Sequence, residues 1–378
     1  MPDPVYLDYA ATAPLRPEAR DAMLAVLSER WGNASSIHRW GREARAALED
    51  ARARFAAVIG ANPAEIVFTR GGTEADNLAV LGRAGLEPHR AVACSAIEHK
   101  AVLQASRSAQ AGSLHEFAVD GDGRIDVDQV RAIVATDPPS VLSVVWANNE
   151  VGVVQPVDEI AAICREADVA FHSDAVQALG RVPVRADRVP AALLSFSAHK
   201  VGGPKGIGAL FVRRGTRLAP LVHGGGQERG LRPGTEDVAG ALAFAAAAEA
   251  AEAERETSML RLGALRDHLE AGLRERVPGL LVNGAGAERL PNVSSLAVPG
   301  ADPEMLLAAL DLEGIAASSG SACSSGAIEP SHVLLAMGLP ADVAGPSVRF
   351  SLGWGTTDAE VERVLDVFPR VVERVKLV

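Results

Sequence analysis

Ser195-Phe196-Ser197-Ala198-His199-Lys200, followed directly by Val201-Gly202-Gly203-Pro204-Lys205-Gly206, is the stretch on which the reading of this chain turns. Residues 192–196 are apolar enough to read as a strand, and the glycines and proline beyond Lys200 end it in a turn. A lysine at that junction is held near the end of a sheet while its amine keeps open space around it. An aldehyde cofactor needs an amine placed in this way to join it as a Schiff base. In isolation a solvated turn lysine has the same pattern, so its neighbours decide.

Similar apolar runs at residues 65–70, 90–94, 140–146, 169–173 and 207–212 also read as strands. Helical periodicity fills the intervals near 73–85, 100–110, 126–134 and 157–167. Strands alternating with helices of this length predict βαβ units, hence an α/β fold whose largely parallel sheet is covered on both faces. Pro17 suits a first helical turn, and Gly60 suits the end of a helix that starts near Ile37. Beyond Gly234 the texture changes. Residues 236–274 are rich in Ala, Glu, Arg and Leu and predict one long helix, which Pro278-Gly279 interrupts. Strands at 280–282 and 293–298 and helices at 303–312 and 357–375 then predict a smaller α+β unit.

Hydrophobic residues at 48% and charged residues at 22% are the composition of a globular chain rather than a disordered one. A net charge of −11 argues against direct binding to nucleic acid or an anionic membrane, which basic patches serve. No apolar run reaches the length of about 18 residues that a bilayer demands. Met1-Pro2-Asp3-Pro4 lacks the basic and apolar segments of a secretory signal. Three cysteines, an odd number, fit a reducing cytoplasm better than a disulfide framework.

Several polar clusters fall just past predicted strands, where parallel α/β sheets bind ligands. His172-Ser173-Asp174-Ala175-Val176-Gln177 places Asp174 at such an end, where a carboxylate could pair with a protonated pyridine nitrogen and keep the ring an electron sink. Arg70-Gly71-Gly72-Thr73-Glu74 joins a strand to a helix; Gly72 admits close backbone approach, the helix start offers free N–H groups, and Thr73 adds a hydroxyl, together an anion site. In Glu98-His99-Lys100 the imidazole could stack on a flat ring or move protons. In Asn148-Asn149-Glu150 an amide could bond a phenolic oxygen. Ser318-Ser319-Gly320-Ser321-Ala322-Cys323-Ser324-Ser325-Gly326-Ala327 is a run of small residues that cannot pack a core, so its thiol is expected to be mobile and nucleophilic. Cys94 and Cys164, in apolar contexts, are expected to be buried and inert. Arg349, inside the strand-like Ser347-Val348-Arg349-Phe350-Ser351, could clamp a carboxylate.

The whole chain resembles the cysteine desulfurases of the iron–sulfur-assembly and nitrogen-fixation type, in the class V aminotransferase group. The matching segments are Tyr6-Leu-Asp-Tyr-Ala-Ala-Thr12, Gly72-Thr-Glu-Ala-Asp-Asn77, Asn148-Asn-Glu150, His172-Ser-Asp-Ala-Val-Gln177, Ser197-Ala-His-Lys200, His223-Gly-Gly-Gly-Gln-Glu-Arg229, Arg232-Pro-Gly-Thr235, Ser319-Gly-Ser-Ala-Cys323 and Ser347-Val-Arg-Phe350. The resemblance implies the pyridoxal-phosphate-dependent transferase fold type I. A large domain, 15–256, would carry a mostly parallel seven-stranded sheet, and a smaller α+β domain, 1–14 with 257–378, would carry the cysteine loop and Arg349. It implies pyridoxal 5'-phosphate as cofactor, Lys200 as the Schiff-base lysine, Asp174 as the pyridinium partner, Gln177 on the phenolic oxygen and His99 over the ring. Gly72, Thr73, Ser197 and His199 would hold the phosphate, with Thr235 arriving from the other subunit of a homodimer. Asn149 and Arg349 would bind the carboxylate of L-cysteine, and Cys323 would take its sulfur and pass it to an acceptor protein, an iron–sulfur scaffold or a thiotransferase. Cys323 lies several residues before Glu329-Pro330-Ser331-His332, as in the long-loop branch of the family. A selenocysteine lyase and a class V aminotransferase are the alternatives on the same fold.

Overall fold

In the computed structural model, which describes residues 4–109, 112–319 and 330–376, the expected strands are Ile66–Thr69, Val92–Ser95, Val141–Ser143, Ala170–Asp174, Leu193–Ser197 and Gly208–Val212. A seventh, Leu114–Phe117, has polar residues on both faces and occupies an edge, where one side is free of a neighbour. From that edge the sheet runs through Val92–Ser95, Val141–Ser143, Ala170–Asp174, Leu193–Ser197 and Gly208–Val212 to Ile66–Thr69. The first five of these strands are parallel, and Gly208–Val212 is antiparallel to both its neighbours. The loops that leave Ser95, Ser143, Asp174 and Ser197 therefore open at one end of the sheet.

The helix Arg39–Ile59 shows how apolar spacing fixes a face. Ala44, Leu48, Ala51, Phe55 and Ile59 recur every three or four residues and are all fully buried. Gly60 ends it with φ 65°, and a Cβ there would meet Asp187 Oδ1 at 2.6 Å, so both conformation and space call for glycine. The helix Val238–Ala253, nearly all alanine and buried, packs on it, with the Phe55 ring 4.6 Å from that of Phe244 and 5.4 Å from that of Phe196.

The expected single helix over 236–274 is two: Val238–Ala253 and Arg255–Arg276. Glu254 N–H closes a tighter turn on Glu252 O while its side chain pairs with Arg16, so a tertiary contact breaks a stretch whose propensity is continuous. A second apolar cluster joins Leu262, Leu265, Leu269 and Leu273 to Val348, Phe350 and the helix Asp358–Val375. Val5 and Leu7 belong to this cluster, because Val5–Tyr6 pairs in parallel with Ile315–Ala316. The strands Leu281–Val282, Val293–Ala297 and Ser347–Ser351 form its antiparallel sheet.

A buried ion pair ties the turn Gln227–Gly230 to the large sheet. Arg52 donates to both Glu228 oxygens at 2.7 and 2.8 Å, and Phe68 N–H donates to the same carboxylate at 2.9 Å. Glu228 adopts φ 46°, a conformation that these bonds hold against its cost. Removing Glu228 leaves the Arg52 charge buried with only Glu49 at 3.2 Å and the Ile66 carbonyl at 2.9 Å beside it. Glu228→Ala is therefore expected to lower stability by about 3–5 kcal/mol, checked by urea unfolding; a loss under about 1 kcal/mol would mean the pair behaves like a surface one.

Candidate active site

A cavity of about 380 Å³ opens where the parallel strands end, lined by Lys200, Asp174, His99, Asn149, Gln177 and Arg349 among others. Gly72, Thr73, Ser197 and His199 line it as well, and they also line a second, outer hollow that adds Arg70 and Lys205. The two share a wall at the start of the helix Gly72–Ala84, so a positive rim meets a helix N-terminus at one end of the cavity. Gly71 has φ 146° there, and a Cβ on Gly72 would press on Val176 at 2.9 Å.

Lys200 closes a single 3-10 turn after the strand Leu193–Ser197, and Arg181 donates to its carbonyl at 2.9 Å. Its Nζ donates to Ala10 O at 2.7 Å and Ala11 O at 2.8 Å. Burial, with Arg349 and Arg181 adding positive potential, pulls the amine down to about 8. Asp174 ends its strand and accepts from Val176 N–H at 2.9 Å; burial raises its pKa, while His99 and Lys200 oppose the rise. His99 caps the helix Lys100–Ser108, accepting Ala101 N–H on Nδ1 at 3.1 Å, which leaves Nε2 to carry the proton of the neutral ring. Burial first, then Lys200, His332 and Lys100, lower the His99 pKa. Burial likewise takes His199 down to about 4; its Nδ1 lies 3.1 Å from Thr12 Oγ1.

On the opposite wall Arg349 is buried, donating to Asn149 O at 2.8 Å and to Asp8 Oδ1 at 2.6 Å, while its Nε has no partner. Asn148 positions this loop from beneath: its amide donates to Ile97 O, and its Oδ1 accepts from Glu150 and Val151 N–H. Gln177 gives one Nε2 hydrogen to Ala10 O at 2.9 Å, and its Oε1 has no partner.

The family model described as Aminotransferase class-V matches residues 5–364. The chain belongs to that family. It is 43% identical over 378 residues to the cysteine desulfurase IscS of Dictyoglomus turgidum, a match spanning 99% of this chain and 96% of that protein. Among solved structures, a NifS-like protein aligns with a TM-score of 0.91 at 33% identity, covering 98% of this chain and all (100%) of the other. SspA in complex with cysteine aligns with a TM-score of 0.79 at 31% identity, over 92% of this chain and 98% of that one.

In this member of the Aminotransferase class-V family the cavity thus gathers every candidate residue named from the sequence except two. Thr235 is exposed on the chain and lines neither hollow. Cys323 lies outside the described residues. Cys94 and Cys164 are buried, and burial pushes both thiols up to about 12, which makes them inert as expected. Others had no assigned role in the sequence reading. Asp8 pairs with Arg349, Ala10 and Ala11 hold the lysine, and Asp76 and His332 line the cavity. The signal for Asp76 was a carboxylate on the apolar stripe of Ala75, Leu78, Ala79 and Val80.

A neutral amine is the reactive form toward an aldehyde, and a depressed pKa makes that form dominant above about 8 instead of above the ordinary 10.5. Trapping with a small aldehyde and borohydride, read by peptide mass, should therefore label Lys200 with a half-rise near pH 8. A half-rise above pH 10 would contradict the electrostatics of the cavity.

Proposed function

We propose that this chain is a pyridoxal-phosphate enzyme that takes sulfur from L-cysteine, releasing L-alanine and leaving a persulfide on Cys323. The observation that carries the reading is the convergence of the Lys200 amine, the Asp174 carboxylate and the Arg349 guanidinium on one cavity whose far end is a helix N-terminus. Full-length similarity to proteins named cysteine desulfurase supports it, as does the structural likeness to a protein solved with cysteine.

The residues fit the cofactor. A pyridinium nitrogen needs a buried anion, and Asp174 is one. A phosphate needs N–H and hydroxyl donors with positive potential, and Gly72, Thr73, Ser197, His199 and the rim of Arg70 and Lys205 meet that need. Gln177 retains a second Nε2 hydrogen for a phenolic oxygen. Thr235, exposed on this chain, is available to a second subunit, which supports a homodimer sharing its phosphate sites.

Bound there, pyridoxal phosphate supplies an electron sink for negative charge at the substrate's α-carbon. Arg349, with its unpartnered Nε, and Asn149 orient the substrate carboxylate. Asp174 keeps a positive charge at the ring nitrogen. The Lys200 amine would take the α-proton, a task its depressed pKa suits. His99, with its proton on Nε2, would exchange protons with groups bound in the same cavity. The Cys323 thiolate then attacks the substrate sulfur. The S–Cβ bond breaks with its electron pair left on carbon, Cβ gains a proton, the α-carbon regains the proton Lys200 removed so that alanine can leave, and the enzyme keeps Cys–S–SH. The persulfide passes to an acceptor protein, an iron–sulfur scaffold or a thiotransferase.

No helix among the described residues is long and apolar enough to cross a membrane, and the odd cysteine count supports a cytoplasmic location. Two separate apolar clusters, one under the seven-stranded sheet and one joining residues 5 and 7 to the C-terminal elements, support a large domain of 15–256 and a small one of 1–14 with 257–378.

Two substitutions test the reading. Cys323→Ser should keep the cofactor's yellow absorbance but lose persulfide formation by at least about 100-fold, measured by alanine release and persulfide mass; normal turnover would remove Cys323 from its role. Lys200→Ala should abolish the visible band of lysine-bound cofactor, and an unchanged spectrum would refute the cofactor assignment. Turnover of selenocysteine with little or none of cysteine by the wild type would favour a selenocysteine lyase.

A further inference from the structure

Asp76 lies one turn into the helix Gly72–Ala84 and lines the cavity, although almost none of its surface reaches solvent and its Oδ1 has no hydrogen-bond partner. One ligand atom each from Asp76, Asp174 and His99 lie within 4.8 Å of one another. A carboxyl group is thus buried beside the carboxylate assigned to the ring nitrogen, in a place where the mechanism above gives it nothing to do. Resting on that reading, we propose that Asp76 and Asp174 form a carboxyl pair that presents a single shared negative charge to the cofactor ring, Asp76 holding the shared proton while Asp174 carries the charge.

The groups around Asp76 support one charge and not two. The strand Ala170–Asp174 contributes Asp174 and His172, the strand Leu193–Ser197 contributes Ser195, and the loop before the helix Lys100–Ser108 contributes Glu98 and His99. His172 Nε2 stands 3.6 Å from Asp76 Oδ1 but bonds Ser195 Oγ at 2.9 Å, and its Nδ1 lies 3.0 Å from Ser143 Oγ. Burial holds that imidazole neutral, down to about 3, so it offers no countercharge. Two buried carboxylates this close cannot both ionise, and the proton goes to the one with less support. Asp174 has the Val176 N–H and the nearby positive potential of Lys200 and His99. Asp76 is raised well above the ordinary carboxylate range by burial, then by Asp174 and Glu98, which outweigh a lowering hydrogen bond from Ser195. The proton therefore resides on Asp76, where it gives the orphan carboxyl a hydrogen to donate, and the negative charge resides on Asp174. If Asp174 is neutralised, Asp76 is free to ionise in its place.

The test compares holoenzymes carrying Asp76→Asn, Asp174→Asn and both, by cofactor dissociation constant and by the ¹⁵N chemical shift of ring-labelled cofactor. Asp76→Asn should weaken cofactor binding less than about 3-fold, and Asp174→Asn about 10-fold with a ring nitrogen that stays protonated; the double variant should lose about 100-fold or more and show a neutral ring nitrogen. A double variant no weaker than Asp174→Asn alone would overturn the proposal, as would a neutral ring nitrogen in Asp174→Asn. Thermal unfolding of the cofactor-free forms checks that each variant folds. Should the double Asn variant unfold, Asp76→Ser in the Asp174→Asn background reads the same coupling. A wild type that takes up no cofactor would sink the proposed function itself, whereas a wild type that binds it without this coupling sinks only the pair.

Discussion

The carboxylate of Asp174 is buried where a parallel strand runs out, and the site is arranged around the need to balance that charge. A buried anion with one backbone N–H for support requires a cation or a proton nearby. Lys200 and His99 stand close enough to feel it, and both are themselves lowered by burial. The parallel strands place these groups: the loop after Ser95 carries His99, Asp174 ends its own strand, and the turn after Ser197 carries Lys200. Gly208–Val212, the reversed strand, lies next to Leu193–Ser197 on the side away from Asp174 and leaves the cavity mouth to the helix Gly72–Ala84.

Most of this architecture could be read from periodicity and punctuation. The strands, the helices between them and the glycine that ends Arg39–Ile59 follow from apolar spacing and turn chemistry, which are local. What escaped depends on contacts far apart in the chain. Leu114–Phe117 is recognisable as a strand only beside Val92–Ser95, because its own residues do not alternate. The break at Glu254 depends on Arg16.

The site divides in the same way. Lys200, Asp174, Gly72 and Thr73 advertise themselves by standing just past apolar runs. The roles of Gln177, Thr235 and Asn149 came from family resemblance and not from the residues' own pattern. Asp8 and the Ala10 and Ala11 carbonyls were invisible as site components, since a backbone carbonyl carries no residue signature and Asp8 acquires its role from a strand more than three hundred positions away.

The pairing of Asp8 with Arg349 also constrains how the protein is made. Residues 5–12 supply one wall of the active site by bonding elements far from them in the chain: Val5–Tyr6 pairs with Ile315–Ala316, Asp8 with Arg349, and Ala10 with Gln177 and Lys200. The large sheet can assemble from its own helices and strands, while this segment is fully seated only when both sets of partners have folded. One short segment thus couples the lysine's carbonyl cradle to the arginine's ion pair, so loosening either one disturbs the other.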